Sequence, residues 1–168
     1  MRFLTALLKS GAGEGRAAGK GESSAYAPTA AQTRFVLGWA FKDAAEQGAT
    51  LGSLALLRAL VKRRALVPEV YDVMQEVQVM AIRTLDAQAR GEASAALLEF
   101  LLHFPLGERR LRQHRDLLLA NLAYPHEHGR LAVLDALLSL AKAFPQPVLD
   151  DWAEALVVAL LPRAVGDE

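Results

Sequence analysis

The sequence predicts an all-α fold built from repeated helix pairs, and three observations support this prediction. Alanine and leucine, both strong helix formers, are the two commonest residue types and together supply over a third of the chain. Valine is much rarer than leucine and Ile82 is the single isoleucine, so the scarcity of β-branched side chains argues against a sheet. From residue 33 onward, apolar residues recur at helical spacings of three and four, and prolines divide the helical stretches.

Composition excludes several classes of protein. The chain has no cysteine, which excludes a disulfide scaffold, a cysteine nucleophile and a thiolate metal site. No apolar run approaches the roughly 20 residues that a membrane-spanning helix needs, so we expect no membrane partner. The formal net charge of zero gives no global reason to expect a nucleic-acid partner, although a local basic patch could still bind one.

Three regions are predicted: a short apolar N-terminal segment at 1–9, a flexible linker rich in Gly, Ala and Ser at 10–32, and a helical-repeat domain at 33–168. The apolar segment is interrupted by Thr5 and is too short for a signal peptide. Because basic residues outnumber acidic ones in the first 34 positions, a transit peptide is the alternative to the short helix that we favour. The linker glycines lack the strand and the Gly-Lys-Ser/Thr ending of a phosphate loop.

The first half of the repeat domain is predicted to hold three helices. Thr33–Gln47 is the first helix, and residues 48–50 (Gly-Ala-Thr) break it. Leu51–Ala65 is the second, with Leu54, Leu57 and Val61 on one face. Pro68 opens the third helix, which Gly91 is expected to interrupt.

The second half is predicted to continue in the same way. Ala93–Phe104 is a helix, residues 105–107 form a turn, and Glu108–Tyr124 is the next helix. Pro125 begins another, with Leu131, Leu134 and Leu138 at helical spacing, and the last helix is Val148–Leu161. Residues 156–161 are apolar on every helical face. We therefore expect either that a neighbouring element buries them on several sides or that the chain is a fragment of a longer solenoid.

The prolines that follow leucine-rich helices show a period. Pro68, Pro105 and Pro145 lie 37 and 40 residues apart, and residues 98–105 align with residues 138–145 through a shared Phe-Pro. A helix–turn–helix unit of about 40 residues is typical of a HEAT or armadillo-like α-solenoid. This chain would hold about three such helix pairs. An ordinary helical bundle is the alternative, and the repeated Phe-Pro favours the solenoid.

Two histidines raise the question of a metal site. His126 and His128 flank Glu127, but residues two apart on a helix do not share a face, and the His-Glu-x-x-His pattern of zinc enzymes is missing. We therefore predict no metal ligands and assign these side chains to local polar contacts at the start of a helix.

Two basic segments are candidate contacts for RNA phosphates. They comprise Arg109, Arg110, Arg112 and Arg115 in one segment, and Lys62, Arg63 and Arg64 in the other. Phosphate contact is one interpretation, because nucleic-acid affinity comes largely from lysine and arginine near the backbone. The alternative, which the residues alone favour, is a solvated helix edge paired with neighbours such as Glu108 and Asp116.

No catalytic arrangement is apparent. Asp150, Asp151 and Glu154 suit the N-terminus of the last helix, where acidic side chains interact favourably with the helix dipole. The sequence shows no Ser/His/Asp arrangement, nucleotide-binding loop or paired carboxylates. We therefore predict no catalytic residues, no cofactor, no small-molecule substrate and no enzyme activity.

From residue 56 to 168 the sequence resembles the very large HEAT-repeat proteins of the small-subunit processome, the "down-regulated in metastasis" family associated with U3 small nucleolar RNA. Three strings carry the resemblance: FPLG at 104–107, LRQH at 111–114 and YPHEHGR at 124–130, where the family usually has Glu in place of Pro125. The matching residues are Phe104, Pro105, Leu106, Gly107, Leu111, His114, Tyr124, His126, Glu127, Gly129 and Arg130.

The resemblance implies a non-catalytic nucleolar scaffold for small-subunit (18S) rRNA processing. Its partners would be ribosome-assembly proteins, with pre-rRNA or small nucleolar RNA as a further candidate. A generic helical-repeat adaptor that binds a peptide or helix, unrelated to ribosomes, is the alternative. A small helical enzyme is the third hypothesis and would need a polar pocket, of which the sequence gives no sign.

Overall fold

The computed structural model describes residues 28–46, 51–64 and 66–165, and within these ranges every regular element is helical. The elements are α1 (Ala30–Glu46), α2 (Leu51–Lys62), α3 (Glu69–Arg83), α4 (Ala87–His103), α5 (Gly107–Ala120), a 3-10 turn (Asn121–Ala123), α6 (Glu127–Ala143) and α7 (Gln146–Val165). The predicted all-α class is thus confirmed for the described residues. The predicted segment 1–9, the linker up to residue 27 and the break at 48–50 lie outside them.

The chain divides into two compact units between Phe104 and Pro105, and helices α1 to α4 form the first. Helix α1 packs against α2 and α3, and α4 packs against the same two helices. Two exposed ion pairs connect the helix pair α1–α2 to the helix pair α3–α4. Arg34 Nε lies 3.1 Å from Glu69 Oε1 between α1 and α3, and Arg58 Nη1 lies 3.5 Å from Glu92 Oε2 between α2 and α4. Each of the four helices therefore packs against two of the others.

Leucine and aromatic side chains form the core of the first unit. Leu54, Leu57 and Phe100 are fully buried, and burial of each such side chain contributes about 1.5–3 kcal/mol. Tyr71 on α3 meets the rings of Phe100 and Phe104 edge-on, at centroid distances of 6.1 and 5.7 Å. These contacts fix the end of α4, and with it the point where the chain leaves the first unit.

Two helix starts differ from the sequence prediction because side-chain caps move them. Helix α1 begins at Ala30, three residues before the predicted Thr33, since Thr29 and Gln32 cap each other's backbone N–H groups. Helix α4 begins at Ala87, where the Asp86 carboxylate accepts a 2.6 Å hydrogen bond from the Ala89 N–H. The prediction that Gly91 interrupts the helix is wrong, because this glycine lies inside α4.

Other helix ends also shift. Helix α2 stops at Lys62, before the predicted Ala65, and Arg64 adopts a positive φ of 52°. Helix α5 ends at Ala120 and tightens into the 3-10 turn that leads to Tyr124. Helix α7 runs four residues beyond the predicted Leu161 and includes Pro162. Apart from Trp152, no residue of α7 is buried by the described part of the chain, so the predicted burial of residues 156–161 is not found there.

Helices that the sequence repeat aligns also share their length and their pattern of buried residues. Helices α4 and α6 both contain 17 residues and both end before a phenylalanine. Their buried positions also correspond: Ala89 with Gly129, Ala93 with Val133, Ala96 with Ala136, Leu97 with Leu137, and Phe100 with Leu140. The two helices are therefore one structural element repeated in the two units.

Candidate interaction surface

The basic segment lies on α5, which begins at a conformationally demanding glycine. Gly107 has a φ of +67°, a region that side chains with a Cβ adopt at a cost. The string that ends at this glycine begins with Phe104, which is buried and packs on Phe100 at a centroid distance of 5.0 Å. The predicted Phe-Pro-Leu-Gly string thus forms the turn from which the arginine helix starts.

Arg112 is held by acidic residues on two helices. Its Nη2 lies 2.7 Å from Asp151 Oδ1 and its Nε lies 3.2 Å from Asp151 Oδ2, a two-point pairing across α5 and α7. The same Nη2 lies 3.1 Å from Glu108 Oε1 within α5. Arg112 therefore serves as a structural link inside the second unit, and its charge is matched locally.

Asp151 is the acidic centre of this pairing. The hydrogen bond from Arg112 lowers the pKa of the Asp151 carboxyl below its ordinary value, and Asp151 in turn raises the pKa of Arg112. Arg115, which is largely covered, approaches the same carboxylate at 4.0 Å and lies 2.8 Å from Asp116 Oδ1. Two of the four predicted phosphate-contacting arginines on α5 are thus neutralised by carboxylates.

The remaining basic residues are distributed between the units. Arg109 and Arg110 are exposed near the start of α5, and Arg109 has no hydrogen bond or ion pair with any residue that the structure describes. Lys62, Arg63 and Arg64 lie at the end of α2 and belong to the first unit. The exposed charges of the predicted set therefore include Arg109 and Arg110 on α5 and Lys62 and Arg64 in the first unit.

The buried side of α5 carries His114 and Leu118. Burial lowers the pKa of the His114 imidazole from 6.5 to about 4, because an apolar environment disfavours the charged ring. The imidazole is therefore neutral at physiological pH and belongs to the core of the second unit. Leu111 lies half-buried on the same helix.

An arginine holds the loop between α5 and α6. Arg130 Nη1 donates to the carbonyl oxygens of Tyr124 (3.0 Å) and Pro125 (2.9 Å). In the first unit, Arg90 Nη1 donates in the same way to the carbonyls of Thr84 (2.8 Å) and Leu85 (3.1 Å), one repeat earlier in the sequence. We call this arrangement the arginine–carbonyl clamp.

The clamp explains much of the YPHEHGR string in structural terms. Arg130 holds the loop, Glu127 lies in the first turn of α6, and Gly129 is buried where α6 enters the core. Sequence reasoning missed the clamp, although its signal was present as an arginine at the same position of two aligned repeats. It also placed Asp151 at the N-terminus of the last helix, which is wrong, because α7 begins at Gln146 and has no acidic residue in its first turn. Nothing in the local sequence indicates that Asp151 has a partner 39 residues away.

The two neighbouring histidines are closer together than predicted. His126 precedes α6 in an extended conformation, so the helix-face argument does not apply to it, and its ring stacks on His128 at a centroid distance of 5.7 Å. Tyr124 meets both rings edge-on. Among the described residues, no group of three or more His, Asp or Glu side chains is placed to hold a metal ion. Likewise, none of the described helices combines the length and apolarity needed to span a membrane.

Comparison with known proteins gives two distant similarities. No protein-family model matches the chain. It is 26% identical over 113 residues, 67% of its length, to U3 small nucleolar RNA-associated protein 20 of Schizosaccharomyces pombe. It is 25% identical over 135 residues, 80% of its length, to the protein of the same name in Saccharomyces cerevisiae. The matched part covers 4% and 5% of these two proteins, so the chain is similar to a small portion of a much longer, U3 small nucleolar RNA-associated protein.

Proposed function

We propose that this chain is a non-catalytic scaffold segment that acts in ribosome biogenesis, within the small-subunit processome of the nucleolus. The observation that carries the proposal is the similarity, over two thirds or more of the chain, to a U3 small nucleolar RNA-associated protein in two yeasts. The proposal also places the chain with the "down-regulated in metastasis" family, on the FPLG, LRQH and YPHEHGR strings.

The helical architecture supports a scaffold role. In the first unit, α1 packs on α2, α3 packs on α4, and like members of these pairs contact each other. This is the contact pattern of stacked helix pairs, and α4 and α6 repeat the same length and the same buried positions. We propose that the pairs are HEAT-type repeats, whose exposed surfaces bind assembly factors.

RNA contact is the more specific part of the proposal, and the ion pairs of the α5 arginines reduce the number of residues that could make it. Arg112 and Arg115 are paired with Asp151 and Asp116, whereas the exposed Arg109 has no ion pair or hydrogen bond with a described residue. On α5, phosphate contact would therefore fall to Arg109, with the exposed Arg110 beside it. Pre-rRNA or small nucleolar RNA would be the ligand, and the proposal assigns no base-specific readout.

Association with pre-ribosomal particles tests the main proposal. The tagged chain is isolated from its native cells, fractionated on a sucrose gradient and probed for U3 RNA and 18S precursors. We expect it to sediment with particles that contain both RNAs. A cytosolic distribution without associated rRNA would contradict the proposal, and a pull-down dominated by one non-ribosomal protein would favour the generic adaptor instead.

RNA contact is tested separately with matched charge changes. The double variant Arg109→Glu/Arg110→Glu is compared with Arg83→Glu/Arg163→Glu, which changes the net charge equally on other helices. We expect only the first to weaken RNA retention and to reduce the salt slope, by roughly 0.7–0.9 per lost phosphate contact. Equal retention by both variants would leave the scaffold proposal standing without RNA contact at these positions.

A further inference from the structure

A stripe of leucines on α6 is exposed. Leu131, Leu134 and Leu138 are 52%, 43% and 54% exposed, although their spacing of three and four places them on one face of the helix. Single exposed leucines are ordinary, whereas a contiguous row of them indicates an interaction surface. We call these three residues the leucine stripe.

The corresponding positions of α2 are buried. When the prolines that follow the two helices, Pro68 and Pro145, are aligned, the leucine stripe falls on Leu54, Leu57 and Val61. These three residues are at most 2% exposed, and α2 packs against α1 and α4. This face is thus covered on α2, whereas on α6 it lacks such cover in the described part of the chain. The equivalent positions of α4, namely Gly91, Ser94 and Leu98, are not buried either.

Two opposite charges lie at the ends of the leucine stripe. At about 100° per residue, Glu127 and Lys142 fall on the same face of α6 as the leucines, one at each end of the helix. Both side chains are exposed, and neither has an ion pair or hydrogen bond with a residue that the structure describes. Asp135 is also exposed and lies at the edge of the face, where it can keep its contact with water.

We propose that the leucine stripe binds the same stripe of a second copy of this chain, with the two α6 helices antiparallel. A two-fold axis between positions 134 and 135 places Leu131 opposite Leu138 and Glu127 opposite Lys142 of the other copy. It also brings Leu134 beside Asp135 of the other copy, whose carboxylate lies at the edge of the face. This pairing is self-complementary, as a two-fold interface requires. A parallel arrangement would instead place like charges together at both ends, which disfavours it.

The interface is small and therefore weak. One helix face from each copy buries less surface than the roughly 1,200–2,000 Å² of a stable complex. We accordingly expect a monomer–dimer equilibrium that depends on concentration. The proposal concerns α6 alone and stands independently of any role in ribosome assembly.

Sedimentation velocity of the full chain over a concentration series tests the proposal. We expect reversible dimerisation, which Leu134→Glu weakens by at least about tenfold, because two leucines per dimer leave the interface. Leu85→Glu replaces an exposed leucine away from the stripe and should leave the equilibrium unchanged. Circular dichroism checks that each variant keeps its helix content.

Charge exchange tests the antiparallel direction. Glu127→Lys and Lys142→Glu should each weaken dimerisation, because each creates two like-charged contacts per dimer. The double variant Glu127→Lys/Lys142→Glu should restore it, since each introduced lysine would then face the introduced glutamate of the other copy. A monomer at every concentration, a dimer insensitive to Leu134→Glu, or a double variant without recovery would each overturn the proposal.

Discussion

Replacement of His114 provides a direct test of how the second unit is held together. Burial lowers the pKa of this imidazole from 6.5 to about 4, so the unfolded chain binds a proton more readily than the folded chain between these values. The contribution of neutral His114 to the free energy of unfolding is therefore fully present above pH 6.5 and is lost as the pH falls towards 4. The difference between the two pKa values corresponds to about 3 kcal/mol of unfolding free energy. That is a large part of the roughly 5–15 kcal/mol typical of a domain.

The two tryptophans allow the second unit to be followed alone. Trp152 is buried and meets Phe144 edge-on at 5.2 Å, whereas Trp39 lies in the first unit and is partly exposed. A Trp39→Phe background leaves Trp152 as the fluorescent reporter of the second unit. Urea unfolding is then measured from pH 7 to pH 4 in this background, with and without His114→Gln.

The expected result is a free energy of unfolding that falls by about 3 kcal/mol more in the background protein than in the His114→Gln variant. The variant itself should be less stable at pH 7, because glutamine fills the buried site less well than imidazole. His126→Gln is the matched control, since the His126 side chain is exposed. Equal pH dependence with and without His114 would refute the reasoning from burial.

Four further substitutions test local features by their urea midpoints. Gly91→Ala should stabilise α4 by about 0.5–1 kcal/mol, because an added Cβ meets no atom within 4 Å. Gly107→Ala should destabilise by about 1–2 kcal/mol, since its φ is +67°. Asp86→Ala should cost about 1 kcal/mol through loss of the cap. Arg130→Ala should cost about 2 kcal/mol by opening the clamp. For each variant, an unchanged stability or a change of the opposite sign would contradict the structural role assigned to that residue.

Helix content was predictable from the sequence because propensity and apolar spacing agree along the chain. The boundary between α3 and α4 was not predictable in this way, because two residues indicate different boundaries. Gly91 suggests a break in the helix, whereas Asp86 suggests a helix start five residues earlier. Gly91 is exposed on α4 and is tolerated there at a modest cost. Asp86 satisfies an N–H group that would otherwise lack a partner, so the cap determines where the helix starts.

The candidate site was only partly predictable for a different reason. Sequence reasoning finds the arginines of α5 because they are close together in the chain, but it does not show that Arg112 faces Asp151 on another helix. Pairing of this kind depends on how helices cross, which residue spacing within one helix does not determine. The arginines that stay exposed are therefore known only after the fold is known.

The arginine–carbonyl clamp has a consequence for how the loops of this protein can vary. The clamp binds backbone carbonyls, so it places no demand on the side chains of the loop: Thr84-Leu85 and Tyr124-Pro125 are held in the same way. Substitutions at these four positions therefore leave the acceptor carbonyls of the clamp in place, whereas Asp86 in the first loop is still needed as the cap of α4. The side chain that the clamp requires is instead one arginine, Arg90 or Arg130, in the helix that follows each loop.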